Sequence, residues 1–177
     1  ALYDWGMGGA KLMYMRNTTV QHHYSYGNQG QGLWFDTDNK NITVNYATIA
    51  GSALAALQLE ANEGPILVEN SHFCSSLAGV NFLNAANVTL KSNVFYNNGS
   101  FGQYTPAGIF IAGRAGGHVI HDWQTGAYYN LYSSNTVLTG NTFQDAASGQ
   151  HVFGTYLSGY DWSHFADTLN ASGNHWY

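Results

Sequence analysis

Residues 41–68 read NITVNYATIAGSALAALQLEANEGPILV, and their internal spacing decides the fold. Asn41-Ile-Thr-Val44 opens the stretch and Pro65-Ile-Leu-Val68 closes it. Related blocks stand at Asn17-Thr-Thr-Val20, Asn87-Val-Thr-Leu90 and Asn135-Thr-Val-Leu138. The five starts are separated by 24, 24, 22 and 48 residues, the last gap being twice 24. Five residues after most blocks comes a second apolar anchor, Ile49, Phe73, Phe95 or Phe143; the first repeat has Ser25 there. A third apolar pair follows as Leu33/Phe35, Leu57/Leu59, Val80/Phe82 and Ile109/Ile111. Each repeat therefore holds three short strand-like pieces with Gly and Asn at the corners.

A period of about 20–29 residues fits either a leucine-rich repeat or a parallel β-helix. Leu54-x-x-Leu57-x-Leu59-x-x-Asn62 matches the leucine-rich template, but once only, and no repeat carries a Leu-rich helical half. All three pieces are instead β-branched or aromatic, which favours an all-β, right-handed parallel β-helix of about 22–24 residues per coil. Asn17, Asn41, Asn87 and Asn135 are expected in one column at a turn, their amides bonding from coil to coil. Residues 97–107 lengthen one turn, and 114–134 read as a loop or small hairpin projecting from the coil. Residues 161–169 have the spacing of a short helix that caps the open end.

Composition sets the outer limits. The 177 residues are 45% hydrophobic and 15% aromatic but only 8% charged, far below the usual quarter or so. Apolar content of this kind builds a core, so a natively unfolded chain is excluded. The length suits a single β-helix domain over 1–177. The chain opens abruptly with Ala-Leu-Tyr-Asp-Trp and shows no leader, as expected of a mature product or a piece of something longer. Five Lys+Arg against ten Asp+Glu argue against nucleic acid as a partner. No apolar run reaches the roughly 20 residues of a membrane span. One cysteine, Cys74, allows no internal disulfide. Polarity comes mainly from neutral residues, including 21 Gly and 18 Asn, against 2 Pro.

Tyr3-Asp4-Trp5, Gly8-Gly9-Ala10-Lys11, Gly32-Leu33-Trp34-Phe35-Asp36-Thr37-Asp38-Asn39 and Glu60 together resemble secreted bacterial proteins with right-handed parallel β-helix repeats, of the pectate-lyase-like superfamily. The likeness covers most of residues 1–112, and the Gly-Leu-Trp-x-Asp-x-Asp-Asn stretch is its most specific part. It implies an extracellular or cell-surface protein with a polysaccharide or oligosaccharide partner. Known members are mostly polysaccharide lyases, glycoside hydrolases and epimerases; others only bind or serve as structural spikes. Neither the polygalacturonase carboxylate signatures nor the Arg/Lys pattern of pectate lyases occurs here.

Strand alternation selects the candidate site. With Leu33 and Phe35 facing inward, Trp34, Asp36 and Asp38 face outward. On following coils Gln58 and Glu60, then Asn81, then Phe110, face the same way. Coils stack about 4.8 Å apart, so Asp36 and Glu60 are expected as neighbours, with Asp38 about 7 Å along the strand. Three carboxylates beside an exposed Trp34 suit general acid and base work, as in glycoside hydrolysis. They also suit Ca²⁺, a hard cation that takes oxygen ligands and holds a uronate carboxylate. Equally, such acids serve as solvated surface groups or as turn residues accepting backbone N–H bonds. Lys11, Lys40 and Arg114 are the nearby cations, with Lys11 placed beside the catalytic acids. Trp34, Gln58, Asn81, Phe110, Arg114, Trp123 and Tyr128 are the substrate-binding candidates.

Weaker signals complete the reading. His22 and His23 are neighbours on a strand and cannot both face one metal. His118, His121 and Asp122 have metal-like spacing within the insertion. Cys74 reads as a small core residue. Trp123, Tyr128 and Tyr129 form either a sugar-stacking wall or a cover for the coil. The Asn-x-Ser/Thr sequons at Asn17, Asn41, Asn87, Asn98 and Asn170 mostly coincide with the turn column. Three functions are open: a polysaccharide-degrading enzyme, hydrolase or lyase; a glycan-binding module; and a structural or adhesive solenoid.

Overall fold

The β-branched blocks are strands, and Asn and Gly form the corners because these residues tolerate the left-handed backbone that tight turns need. The computed structural model describes residues 8–99, 107–144, 151–155 and 159–177. Tyr3-Asp4-Trp5 and the middle of the 97–107 turn lie outside the described residues. In chain order the first coil is β1 (Gly8–Met13), β2 (Arg16–Gln21) and β3 (Tyr24–Tyr26); the second is β4 (Gln31–Asp36), β5 (Lys40–Asn45) and β6 (Thr48–Ala50). The third is β7 (Ala55–Asn62), β8 (Ile66–Glu69) and β9 (His72–Cys74); the fourth is β10 (Ala78–Ala85), β11 (Val88–Lys91) and β12 (Val94–Tyr96). β13 (Ala107–Ala112) opens the fifth, which is interrupted by β14 (His118–His121) and β15 (Tyr128–Leu131) before β16 (Val137–Thr139) and β17 (Thr142–Gln144). β18 (His151–Thr155), helix α1 (Gly159–Ala166), β19 (Asn170–Ser172) and β20 (His175–Trp176) follow.

Equivalent strands pair in parallel to give three six-stranded sheets, β1-β4-β7-β10-β13-β18, β2-β5-β8-β11-β16-β19 and β3-β6-β9-β12-β17-β20. This is a right-handed parallel β-helix, with no helical layer in the repeats among the described residues. Inward side chains align in columns. The third sheet stacks Phe73 on Phe95 at 5.4 Å, Phe95 on Phe143 at 4.6 Å and Phe143 on Trp176 at 4.6 Å. Opposite that column the chain must be small: a Cβ on Gly79 would meet Phe95 Cδ1 and Gly108 O, each at 2.6 Å.

The expected asparagine column is present. Asn17, Asn41, Asn87 and Asn135 all have φ between 52° and 54°. Asn41 donates to Asn17 at 2.6 Å and Asn135 to Asn87 at 3.1 Å. Pro65 has no amide side chain and divides the column into two pairs. A second, buried set of amides was not legible. Asn39 donates to Asn62 at 2.8 Å, Asn93 to Asn141 at 3.1 Å and Asn141 to Asn174 at 3.0 Å. These amides also satisfy backbone groups that turn inward at the corners.

Two expectations need adjustment. The insertion is a hairpin, β14 antiparallel to β15, but it does not project. It folds back so that Ile120 and Leu131 pack on Ala61 and Ala86 of the third and fourth coils. The C-terminal helix begins earlier than residue 161 and ends at Ala166. It plugs the core with the fully buried Phe165, whose ring lies 6.3 Å from Phe82 and 6.4 Å from Phe153.

Candidate functional site

The outer surface of the first sheet carries two columns fixed by strand register. Lys11, Trp34, Gln58, Asn81 and Phe110 form one; Met13, Asp36, Glu60 and Leu83 form the other. Asp36 and Glu60 are therefore direct neighbours on adjacent strands, as alternation requires. They are not solvated: Asp36 is 7% and Glu60 5% exposed. Trp34 is 0% exposed, which corrects the expectation of an open stacking ring. Both faces of β4 and β7 are buried, and the ammonium of Lys11 lies 3.6 Å from the centre of the indole. Covering so large an apolar ring is favourable even on an outer face.

Polar neighbours set the two carboxyls apart. Lys11 Nζ pairs with Asp36 at 2.7 Å, and Thr37 Oγ1 donates to Asp36 Oδ1 at 2.8 Å. The Gln58 carbonyl accepts from Gln31 at 3.1 Å and from Asn81 at 3.2 Å, which directs its NH₂ to Glu60 Oε2 at 2.9 Å. Burial, reinforced by the Asp36 charge, pushes the Glu60 carboxyl up to about 7; the Gln58 hydrogen bond and the Lys11 and Arg114 charges only partly oppose it. Glu60 is thus half protonated near neutrality beside a lysine-paired Asp36.

Beyond β13 the chain turns and brings Arg114 within electrostatic reach of Glu60, its backbone N–H bonded to Asn84 Oδ1 at 2.8 Å. His118, at the start of the hairpin, feels both Arg114 and Asp36; burial first, then Arg114, lowers its pKa and favours the neutral ring. A cleft of about 550 Å³ lies between hairpin and coil, lined by Tyr14, Thr37, His118, His121 and Trp123 among others. Trp123 is 52% and Tyr128 71% exposed, and Tyr128 stacks on His121 at 4.4 Å. Of the three hairpin aromatics Trp123 and Tyr128 are open, whereas Tyr129 packs on Ala61 and Ala86 as a cover for the coil; Asn81 and Phe110 are half-buried farther along the sheet.

Asp38 belongs elsewhere. Thr37 and Asp38 adopt left-handed φ of 41° and 57°, so the strand has ended and alternation no longer holds. The fully buried Asp38 carboxylate accepts from Arg16 at 2.9 Å and from the Trp123 backbone N–H at 3.1 Å. It is the turn residue that the alternative reading allowed, now holding the hairpin. Asp122 joins the same network through Lys40 at 2.8 Å and Arg16 at 3.4 Å. The Lys40 hydrogen bond, with others from Thr125 and Gln124, holds its carboxyl well below the ordinary range. Lys40 also pairs with Glu63. Tyr129 is pushed up by burial and then by Glu63, which keeps its phenol neutral. Lys40, Asp38, Asp122 and Tyr129 thus serve the hairpin and not the carboxyl pair, and nothing in the sequence period marked Arg16 as their partner.

Asp36, Asp38 and Glu60 do not converge as a Ca²⁺ site. Asp38 faces Arg16 and Asp36 faces Lys11, so the three carboxyls are not gathered around one point as Ca²⁺ ligands are. Among the described residues no three His, Cys, Asp or Glu side chains are grouped for a metal. His22 is exposed and stacks on Tyr46 at 5.3 Å. Cys74 is half-buried with its thiol pushed up by burial, an unreactive state.

The right handed beta helix region family matches residues 1–122. The chain belongs to this right-handed β-helix family. Two solved structures have the same fold. The Azotobacter vinelandii mannuronan C-5 epimerase AlgE6 A-module superposes with a TM-score of 0.68 at 16% identity, over 96% of this β-helix and 48% of that chain. The AlgE4 A-module from the same organism gives 0.63 at 17%, over 96% and 47%. The β-helix thus spans about half the length of each. No curated protein matches the sequence. Among the described residues no helix is long and apolar enough to cross a membrane.

Proposed function

We propose that this β-helix cleaves a polysaccharide by acid–base chemistry on the outer face of its first sheet. The observation that carries the reading is the pair of carboxyls on adjacent strands in different surroundings, Glu60 buried against a neutral amide with its pKa pushed up to about 7 and Asp36 paired with Lys11. Glu60 would donate its proton to the departing glycosidic oxygen, while the Asp36 carboxylate meets the developing positive charge at the anomeric carbon as nucleophile or base. Strand spacing of about 4.8 Å lies near the short carboxyl separation, about 5–5.5 Å, of retaining glycosidases. Trp123 lines the cleft and Tyr128 stacks on His121 at its edge, while Arg114 and His118 lie within electrostatic reach of the acids. The two epimerase modules of like fold, named for acting on mannuronan, are consistent with a carbohydrate partner.

Shallow access to both acids favours a second reading, a glycan-binding module that uses the exposed hairpin aromatics without chemistry. A polysaccharide panel assayed for new reducing ends and for unsaturated ends separates the cases, run with and without a chelator to expose any Ca²⁺ requirement. Reducing ends alone mark a hydrolase, unsaturated ends a lyase. Glu60→Gln and Asp36→Asn are expected to lower turnover at least about 100-fold with the circular dichroism spectrum unchanged. Retention without any product, lost in Trp123→Ala, would establish the binding module instead.

A further inference from the structure

The third sheet presents its outer face away from the carboxyl pair, and its composition differs from that of the other two. Its six strands contain no Asp, Glu, Lys or Arg. The first sheet carries Lys11, Asp36 and Glu60, and the second Arg16, Lys40, Glu69 and Lys91. In place of charge there are rings. Tyr24 is 74%, Tyr26 73% and Tyr96 40% exposed on this face, and Tyr46, at the corner leading into it, is 52% exposed. Alternation produces this pattern: between Tyr24 and Tyr26, Ser25 turns inward and is 8% exposed.

Register places the rings on a grid. Tyr24 and Tyr26 adjoin Thr48 and Ala50 on β6, so no larger side chain stands beside them on the next coil. Tyr96 lies three coils from Tyr26 in the same column, about 14 Å away at the usual strand spacing. Four tyrosines of about 150–250 Å² each, three of them more than half exposed and Tyr96 40% exposed, offer a few hundred Å² of ring in total. Exposed aromatic surface gathered on one face in this way often marks a binding site.

We infer that the outer face of the third sheet is a second carbohydrate site, one that holds a neutral polysaccharide chain through Tyr24, Tyr26, Tyr46 and Tyr96. Hydroxyl-tipped rings supply what a neutral sugar chain needs: apolar faces for its C–H surfaces and phenols for its hydroxyls. With no formal charge in the strands, an anionic polymer gains nothing here. Protein interfaces add Met and Arg to their aromatics, and neither occurs in these strands. The site is independent of the acid–base reading and anchors a polymer whether or not the first sheet cleaves it, raising the effective concentration of neighbouring segments.

Affinity electrophoresis in native gels containing hydroxyethyl cellulose or galactomannan, with alginate and polygalacturonate as anionic comparisons, tests the site. The wild-type chain is expected to be retarded by at least one neutral polymer and less by the anionic ones. Tyr24→Ala/Tyr26→Ala should weaken that retention about tenfold, or about 1.4 kcal/mol, and Tyr96→Ala less. Glu60→Gln should leave it unchanged, which separates this site from the catalytic one. These rings lie outside the core, and circular dichroism verifies folding of the variants. Full retention by the double variant, no retention of the wild type by any neutral polymer, or stronger retention by the anionic ones overturns the inference. So does a double variant that loses only self-association in sedimentation.

Discussion

Glu60 and Asp36 show how two similar side chains one strand apart come to differ. Asp36 meets an ammonium and a hydroxyl, whereas Glu60 meets a neutral amide and a neighbouring negative charge. Because the folded-state pKa of Glu60 is raised from 4.5 to about 7, protonated Glu60 stabilises the fold and ionised Glu60 does not. Its contribution is fully present below pH 4.5 and is lost as pH rises through about 7. Denaturant unfolding between these limits should show stability falling with pH, and Glu60→Gln should flatten that slope. Any activity that needs the acid form should decline above the same pH. The adjacency of Asp36 and Glu60 was legible because it follows from period and alternation alone. The burial of Trp34 was not, because what covers an outer face comes from distant parts of the chain.

At the scale of elements, the hairpin β14–β15 is fastened to the coils by a charged cluster instead of by strand pairing. Asp122 stands 106 residues from Arg16 and 82 from Lys40, and it meets both at one corner together with Asp38. Asp38→Ala would remove the nearer carboxylate of the Arg16 guanidinium and leave it only Asp122 at 3.4 Å, a loss of about 1.5–3 kcal/mol. Hydrogen exchange in this variant should show the amides of His118–His121 losing protection first, with the coil strands β4 and β7 retained. Equal loss throughout would show that Asp38 supports the whole solenoid. In the sequence, Asp38 is indistinguishable from a third catalytic acid, since only the left-handed turn at Thr37 and Asp38 takes it off the strand.

Across the whole molecule each coil touches chiefly its neighbours, so stability is a sum of local stacking terms. The buried amide columns are part of that stacking. Asn141 is 0% exposed and bonds to Asn93 and Asn174 and to the Leu90 carbonyl at 2.8 Å. Asn141→Leu should cost about 3 kcal/mol, because buried backbone and amide groups lose their partners. The loss should be local: exchange protection in β16, β17, β19 and β20 falls before that in β2 to β9, and uniform loss would contradict nearest-neighbour stacking. The primary sequence by itself determined the solenoid, its period, the inward columns, the left-handed asparagines and the pairing of Asp36 with Glu60. All of these repeat every 22–24 residues and need only local geometry to be read. Tertiary structure alone decided which outer face is covered, where Asp38 turns and how the hairpin lies back. Those outcomes depend on contacts between segments that share no period, and on which charges lose water when they meet.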